Sequence, residues 1–103
     1  MRPADLVIAD NLENSRFEAH VEGELAGFID YRQAGTRRIL VHTQVLAKFE
    51  GLGIGASLAR YALHEARVAG RRVTVRCPFI RAYLLRHPEE ADVVSPKVAP
   101  RSR

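Results

Sequence analysis

The sequence contains little cysteine and no long apolar run, and each absence excludes a class of protein. Cys77 has no second cysteine to pair with, so an internal disulfide is excluded and a reducing, cytoplasmic setting is expected. No apolar run approaches the roughly 20 residues that cross a bilayer. The first residues also lack the apolar stretch typical of a secretory signal. A length of 103 residues suits one domain with one core.

Metal-ligand spacing is also missing. No pair of histidine, cysteine or carboxylate residues has the spacing of a structural zinc site, so the sequence predicts no metal.

Positive charge is scarce in the first 31 residues, and negative charge is scarce in the rest of the chain. Residues 1–31 carry seven acids and two arginines, a net charge of −5. Residues 32–103 carry fourteen lysines and arginines and five acids, a net charge of +9. A basic half suits a polyanionic ligand such as nucleic acid or a nucleotide with several phosphates. The alternative is a charged surface that only contacts water.

Apolar periodicity predicts an antiparallel meander in the first half of the chain. Apolar Phe17, Ala19 and Val21 alternate with polar residues, which is the period of a half-buried strand. Strands are predicted over residues 6–9, 16–21, 25–32 and 38–45, with turns at 22–24 and 33–36.

The period changes in the second half of the chain. Apolar residues over 53–69 fall on one helix face, and Gly70 fits the left-handed residue that closes a helix. A strand over 72–77 follows and is expected to lie parallel to strand 38–45 through a right-handed crossover. Pro78 then opens a short helix over 79–86, and a last edge strand is predicted over 92–94.

The loop Glu50-Gly51-Leu52-Gly53-Ile54-Gly55 lies between a predicted strand and a predicted helix. Alternate glycines let the backbone approach a ligand closely, and the free N–H groups of a helix start attract anions. Ser57 adds a hydroxyl donor. The loop is not a Walker motif, because no Lys-Ser/Thr follows Gly55, and it lacks the third glycine of a dinucleotide motif. A turn used only for tight packing is the alternative.

Residues 45–55 resemble the acyl-CoA loop of the GCN5-related N-acetyltransferases, where a strand ending in Val leads to (Arg/Gln)-x-x-Gly-x-(Gly/Ala). The segments His42-Thr43-Gln44-Val45 and Cys77-Pro78-Phe79-Ile80…Tyr83…His87-Pro88-Glu89 resemble a subgroup of about 100-residue, single-domain CoA-binding relatives. The resemblance covers roughly residues 6–94. It implies an α/β (α+β) fold with splayed parallel strands and helices packed on the sheet. One acetyl-CoA-binding domain is expected over residues 1–94, with a flexible basic tail over 95–103.

The resemblance also implies a site for acetyl-CoA or coenzyme A. Val45 would polarise the thioester carbonyl through its backbone N–H, and residues 51–57 would hold the pyrophosphate. Arg81 and Arg86 suit the 3′-phosphate by their charge. The full set of expected cofactor-binding residues is Thr43, Gln44, Val45, Glu50, Gly51, Leu52, Gly53, Ile54, Gly55, Ala56, Ser57, Cys77, Phe79 and Tyr83.

Three catalytic candidates follow, each with a structural alternative. Tyr83 is expected near the position of a proton-donating tyrosine in the superfamily, or is a core or rim residue. Cys77 is an acyl-accepting nucleophile, a proton donor to the leaving thiolate, or a small buried apolar residue. His42 is a base near the acyl end, or a hydrogen-bonded strand histidine.

Two residues depart from the family pattern. Glu50 replaces the Arg or Gln that usually opens the loop, so it is expected to point away from the pyrophosphate or to pair with Lys48 or Arg60. Gln44 occupies a position where the subgroup often has Glu, and an amide is no general base.

Three functions remain open at this point. The first is acetyl transfer to an amine of a small molecule or protein by direct attack in a ternary complex. The second is CoA binding with little catalysis, and the third, less favoured, is nucleic-acid binding through the basic half. The expected partners are a CoA thioester and an amine acceptor, without a membrane, and the protein is expected to be a monomer or a homodimer.

Overall fold

One five-stranded sheet forms the centre of the computed structural model, which describes residues 5–96. The strand order is β1-β2-β3-β4-β5; β1 to β4 pair antiparallel and β5 is parallel to β4. The elements are β1 Leu6–Asn11, β2 Arg16–Val21, β3 Glu24–Ala34, β4 Arg37–Val45, α1 Ile54–Ala69, β5 Val73–Val75 and α2 Pro78–Arg86. The predicted antiparallel meander leading into a β-α-β unit is confirmed.

The core lies between the sheet and the two helices. Phe17 and Ile29 point from β2 and β3 toward the helices, and α1 contributes the fully buried Leu58 and Leu63. Burial of a side chain of this size contributes about 1.5–3 kcal/mol. The opposite face of the sheet, called the open face below, carries half-buried or exposed residues such as Arg16, Glu18, Phe28, Asp30 and His42.

Left-handed glycines mark both ends of α1. Gly53 has φ 76° before the first turn, and Gly70 has φ 70° after the last. The Gly70 N–H donates to the carbonyls of Ala66 and Arg67, which otherwise lack helix partners. The predicted closing role of Gly70 is confirmed.

A β-bulge in β4 changes which residues face the helices. Asp30 lies opposite His42 whereas Tyr31 lies opposite Leu40, so Val41 is the extra residue. Before the bulge, Leu40 points into the core; after it, Thr43 lies opposite buried Ile29 on the same side. Because side chains alternate along a strand, His42 and Gln44 lie on the open face.

Strands β4 and β5 diverge after three residues each. Arg38, Ile39 and Leu40 pair with Val73, Thr74 and Val75. The Leu40 carbonyl then accepts hydrogen bonds from the N–H groups of both Arg76 and Cys77, at 2.9 and 3.1 Å. The ladder ends there, so the predicted strand over 72–77 is shorter than expected and the two parallel strands splay apart.

The prediction of a last strand over residues 92–94 is wrong. Residues Pro88–Val93 form a 3₁₀ helix, and Val94 alone of the predicted strand bridges to Val73 within residues 5–96. Ser95, expected to begin the tail, donates its N–H to the Val73 carbonyl at 2.9 Å. The rest of the predicted tail from residue 97 lies outside the described residues.

Neither helix within residues 5–96 has the length and the apolar content needed to span a membrane.

Candidate active site

The glycine loop forms an open cradle at the end of β4. Gly51 and Gly53 have φ values of 82° and 76°, and a Cβ added at either would meet nothing within 4 Å. Backbone conformation, not crowding, therefore requires glycine at both positions. The first bond of α1 runs from the Ser57 N–H to the Gly53 carbonyl at 3.0 Å. The N–H groups before Ser57 are therefore free of helix partners.

Gly55 is required for a different reason. A Cβ at this position would lie 2.6 Å from the Phe79 Cζ atom, so the Phe79 ring rests directly on the first turn of α1. This contact fixes the start of α2 against the start of α1, and Phe79 keeps 41% of its surface exposed beside the loop. The third glycine of the motif thus has a packing role that its spacing alone did not reveal.

Glu50 has neither of its expected partners. Lys48 Nζ pairs with Glu24 Oε1 at 2.9 Å, and Arg60 Nε lies 3.8 Å from Glu90 Oε2. Glu50 is exposed and forms no ion pair within residues 5–96. The pair with Lys48 or Arg60 is therefore not formed, and the other expectation, that Glu50 points away from a bound pyrophosphate, stays a prediction.

Thr43 and Cys77 meet at the point where the parallel strands diverge. Thr43 Oγ1 lies 3.1 Å from Cys77 Sγ, so one of the two groups donates a hydrogen bond to the other. Cys77 is buried, with 2% of its surface exposed. A side chain from β4 and one from the residue that precedes α2 therefore meet here, although they are 34 residues apart in the sequence.

Tyr83 is buried between the two helices. Its hydroxyl donates to Glu90 Oε2 at 2.8 Å, and its ring lies 4.4 Å from that of His87. Burial, assisted by the Glu90 hydrogen bond, raises the pKa of Tyr83, while the neighbouring Arg60 guanidinium opposes that rise. Among residues 5–96, no hydrogen bond joins Tyr83 to Cys77, Thr43 or His42.

The other expected site residues lie on the open face of the sheet, in the loop before α1 or in the first turn of α1. His42 and Gln44 are exposed on the open face, away from the Thr43–Cys77 pair. Leu52 is exposed in the loop, Ala56 is half-buried and Ile54 is buried beneath the cradle. Ser57 is buried and lines a groove of about 400 Å³ along α1 together with Arg60 and His64.

A polar cluster on the open face was not predicted as part of a site. Arg16 Nε donates to Glu18 Oε2 at 2.6 Å, and Asn11 Nδ2 donates to the same oxygen at 3.0 Å. The Arg16 hydrogen bond is the main cause that lowers the pKa of Glu18. The Arg16 guanidinium also lies 4.4 Å from the centre of the Phe28 ring. The alternation of Arg16 and Glu18 along β2 was the available sequence signal.

One group of three residues has the composition of a metal site. Ligand atoms of His87, Glu89 and Glu90 lie within 4.8 Å of one another after α2. Glu90 is already bonded to Tyr83 and lies near the Arg60 cation. The absence of a structural metal stays a prediction.

Comparison with known proteins agrees with this geometry. A family model described as GCN5-related N-acetyl-transferase matches residues 16–93. The chain belongs to the GCN5-related N-acetyltransferase (GNAT) family. A search of the curated proteins finds no significant match.

Solved structures share the GNAT fold at low sequence identity. A GCN5-like protein from Staphylococcus aureus is 22% identical, with a TM-score of 0.67 over 88% of this chain and 89% of that one. The ribosomal-protein-alanine N-acetyltransferase of Brucella melitensis biovar Abortus 2308 is 17% identical, with a TM-score of 0.52 over 85% and 67%. Ard1 of Thermoplasma volcanium is 21% identical, with a TM-score of 0.50 over 60% of this chain and 45% of that protein. At these identities the likeness concerns the fold.

Proposed function

We propose that this GNAT chain transfers an acetyl group from acetyl-CoA to an amine. The observation that carries the proposal is the coincidence of two features at one end of the sheet. The β4–β5 ladder stops at Leu40, and the glycine cradle follows β4 after one short 3₁₀ helix, Ala47–Phe49. A cleft between strands and an anion site at its mouth are the two features that an extended nucleotide thioester needs.

The residues of the cradle and those of the cleft would bind different parts of acetyl-CoA. The backbone N–H groups of residues 51–56 would hold the pyrophosphate, and Phe79 would border the arm that leads into the cleft. The Val45 N–H would polarise the carbonyl by placing a donor where negative charge develops. Bound acetyl-CoA supplies a thioester: the amine nitrogen forms a bond to its carbonyl carbon, and the carbon–sulfur bond breaks.

Strand alternation supports opposite sides of the sheet for the two reactants. Thr43 and Cys77 face the helices on the cradle side, whereas His42 faces the open side. We therefore infer that the acceptor amine approaches from the open face. His42 would take a proton from the amine, and the Cys77 thiol, held by Thr43, would give a proton to the leaving sulfur.

Tyr83 is the alternative proton donor. Its hydroxyl would first have to leave Glu90, and its raised pKa makes it a weaker acid than a tyrosine in water. Cys77 therefore has the stronger structural support, and kinetics of the two variants separate them.

Calorimetry with CoA and acetyl-CoA at two salt concentrations tests the donor site. Micromolar affinity that persists in moderate salt is expected, because most contacts come from backbone N–H groups. No detectable binding would overturn the proposal and would make Glu50, beside the cradle, the first residue to replace.

Amine acetylation by Cys77→Ala and Tyr83→Phe tests the catalytic step. If Cys77 is the proton donor, Cys77→Ala lowers kcat by about 10²-fold while acetyl-CoA affinity is kept. Tyr83→Phe then changes kcat by less than about threefold. The opposite ranking would transfer the role to Tyr83.

A CoA-binding module with little catalysis is the second candidate. It is favoured by Gln44, which cannot act as a base, and by the commitment of the Tyr83 hydroxyl to Glu90. Tight CoA binding without amine acetylation at raised pH would establish it. The proposal includes a cytoplasmic location, in keeping with the unpaired Cys77.

A further inference from the structure

The outer edge of β1 has no backbone partner within residues 5–96. The strand pairs with β2 on its other side, in an unbroken antiparallel ladder. The Glu22 N–H donates to the Asp5 carbonyl at 3.4 Å, so Asp5 bonds toward β2. Successive residues of an antiparallel strand bond to alternate sides, so the odd-numbered residues of β1 all bond toward β2. The even-numbered residues direct their N–H and C=O groups away from the sheet: Leu6, Ile8 and Asp10.

The opposite edge of the sheet is protected, in contrast to β1. β5 has three residues, and it is followed along its outer side by Val94, which bridges to Val73, and by Ser95, which donates to the Val73 carbonyl. Soluble proteins shield an edge strand by shortness, a covering segment, proline, lysine or a bulge. β1 has six residues without proline or lysine, its ladder is regular, and no segment of residues 5–96 covers it.

The only charged side chain of β1 does not oppose an incoming strand. Asp10 points to the helix side, where a free charge would repel further strands. Its carboxylate accepts hydrogen bonds from the Tyr31 hydroxyl at 2.6 Å and from Arg38 Nη1 at 3.1 Å. The Asp10 charge is therefore compensated within the fold. The other residues of β1 are uncharged, and Val7 has 63% of its surface exposed.

β1 is complementary to a second copy of itself in antiparallel orientation. When Ile8 lies opposite Ile8 of the second copy, the three outward N–H and three outward C=O groups of each strand form six hydrogen bonds between the copies. Val7 then lies opposite Ala9 of the second copy, which gives an apolar pair on the open face. Asp5 lies opposite Asn11 and Asp10 opposite Leu6, so no two acids oppose each other.

We propose that two copies of this chain associate through β1, antiparallel about a two-fold axis at Ile8, and form one continuous ten-stranded sheet. The inference is independent of the proposed acetyl transfer. A contact through one strand of each copy is small, so the dimer is expected to be weak and to depend on concentration. β4 and the glycine cradle lie three strands away from the contact, so the donor site stays open in the dimer.

Sedimentation of the full chain between about 10 µM and about 1 mM tests the association. The average mass should rise from 11.5 kDa toward twice that value as the concentration increases. Val7→Lys places a charge on an exposed position of the edge and should weaken the association about tenfold or more. A mass of 11.5 kDa over the whole range, or an association that Val7→Lys leaves unchanged, would overturn the proposal.

Leu85→Lys is the matched control. It adds the same charge at a position that is 53% exposed on α2, which packs on β4 at the other side of the sheet. The association should be unaffected. A loss equal to that of Val7→Lys would show that net charge, not the β1 edge, governs the association, and would overturn the proposal.

Hydrogen exchange of single backbone amides identifies the contact. The amides of Ile8 and Asp10 should exchange more slowly as the concentration of the natural protein is raised, whereas the amides of Val7 and Ala9 should be protected at every concentration. Slow exchange at Ile8 that does not depend on concentration would show that the edge is covered within one chain. Fast exchange at Ile8 where sedimentation detects a dimer would place the contact on another surface. Either result would overturn the proposal.

Discussion

The two halves of β4 have the same backbone conformation and opposite chemistry. Over Arg38–Leu40 the strand is paired with β3 and β5. After the Val41 bulge it is paired with β3 alone, and its polar side chains His42 and Gln44 are exposed. In the first half Arg38 is bonded within the fold, whereas in the second half His42 and Gln44 form no side-chain hydrogen bond within residues 5–96.

Arg38 shows that the hydrogen-bonding groups in the first half of β4 have partners within the fold. It is 5% exposed, donates to Gln33 at 2.5 Å and to Asp10 at 3.1 Å, and lies 4.1 Å from the centre of the Tyr31 ring. Tyr31 donates in turn to Asp10 at 2.6 Å. His42 and Gln44, beyond the point where β5 leaves the sheet, have no such network among residues 5–96.

The largest expected effect concerns the first half of β4. Arg38→Leu leaves Asp10 half-buried without its cation, so the free energy of unfolding should fall by about 3–5 kcal/mol. Urea unfolding measures the loss. A loss below about 1 kcal/mol would show that the Arg38 network contributes little and that the two halves differ less than their bonding indicates.

Alkaline pH should weaken the same network. Burial, with the Asp10 hydrogen bond, raises the pKa of Tyr31 to about 12. The unfolded phenol titrates near 10, so the contribution is complete below about pH 10 and is lost as pH rises toward about 12, up to about 2–3 kcal/mol. Tyr31→Phe should flatten this part of the stability profile. An unchanged slope in the variant would place the titrating group elsewhere.

Two glycines with similar backbone conformations should separate folding from binding. Gly53 in the cradle and Gly35 in the β3–β4 turn have φ values of 76° and 64°, and neither lacks space for a Cβ. Alanine at either position should cost about 1 kcal/mol of stability. Gly53→Ala alone should also weaken acetyl-CoA binding, by about tenfold in calorimetry. A matching loss of affinity in Gly35→Ala would contradict the assignment of the cradle.

The smallest effect on stability is expected at His42. The residue is exposed and makes no hydrogen bond through its side chain within the described range, so His42→Gln should change stability by less than about 0.5 kcal/mol. The same variant should lower kcat by about 10²-fold, because the amine loses its base. A stability loss comparable to that of Arg38→Leu would make His42 a structural residue.

The sequence predicted the order of elements because each has a strong local signal. The alternation in β2 and the helical spacing before Gly70 depend on neighbours only a few residues away. The glycine loop was equally easy to recognise, because the left-handed backbone before α1 requires glycine at Gly51 and Gly53. These local features were sufficient for the family and for the position of the cradle.

Several features that depend on distant residues were not predicted. Nothing near Arg38 indicates that it is buried, because its partners Asp10 and Tyr31 come from other strands. The bulge at Val41 is set by the β3–β4 register, and the Tyr83–Glu90 bond requires the 3₁₀ turn after α2. Residues 92–94 were misassigned for the same reason, since their β-formers only touch the sheet at Val94.

The extra residue at Val41 exchanges the faces of the sheet that the odd-numbered and the even-numbered side chains of β4 occupy. Upstream of it, even-numbered side chains of β4 point into the core; downstream, odd-numbered ones do. If β4 were instead regular, with Val41 paired opposite Asp30, every later position of the strand would be inverted. His42 would then turn inward and Thr43 outward, so one residue without chemistry of its own decides which side of the sheet each neighbour serves.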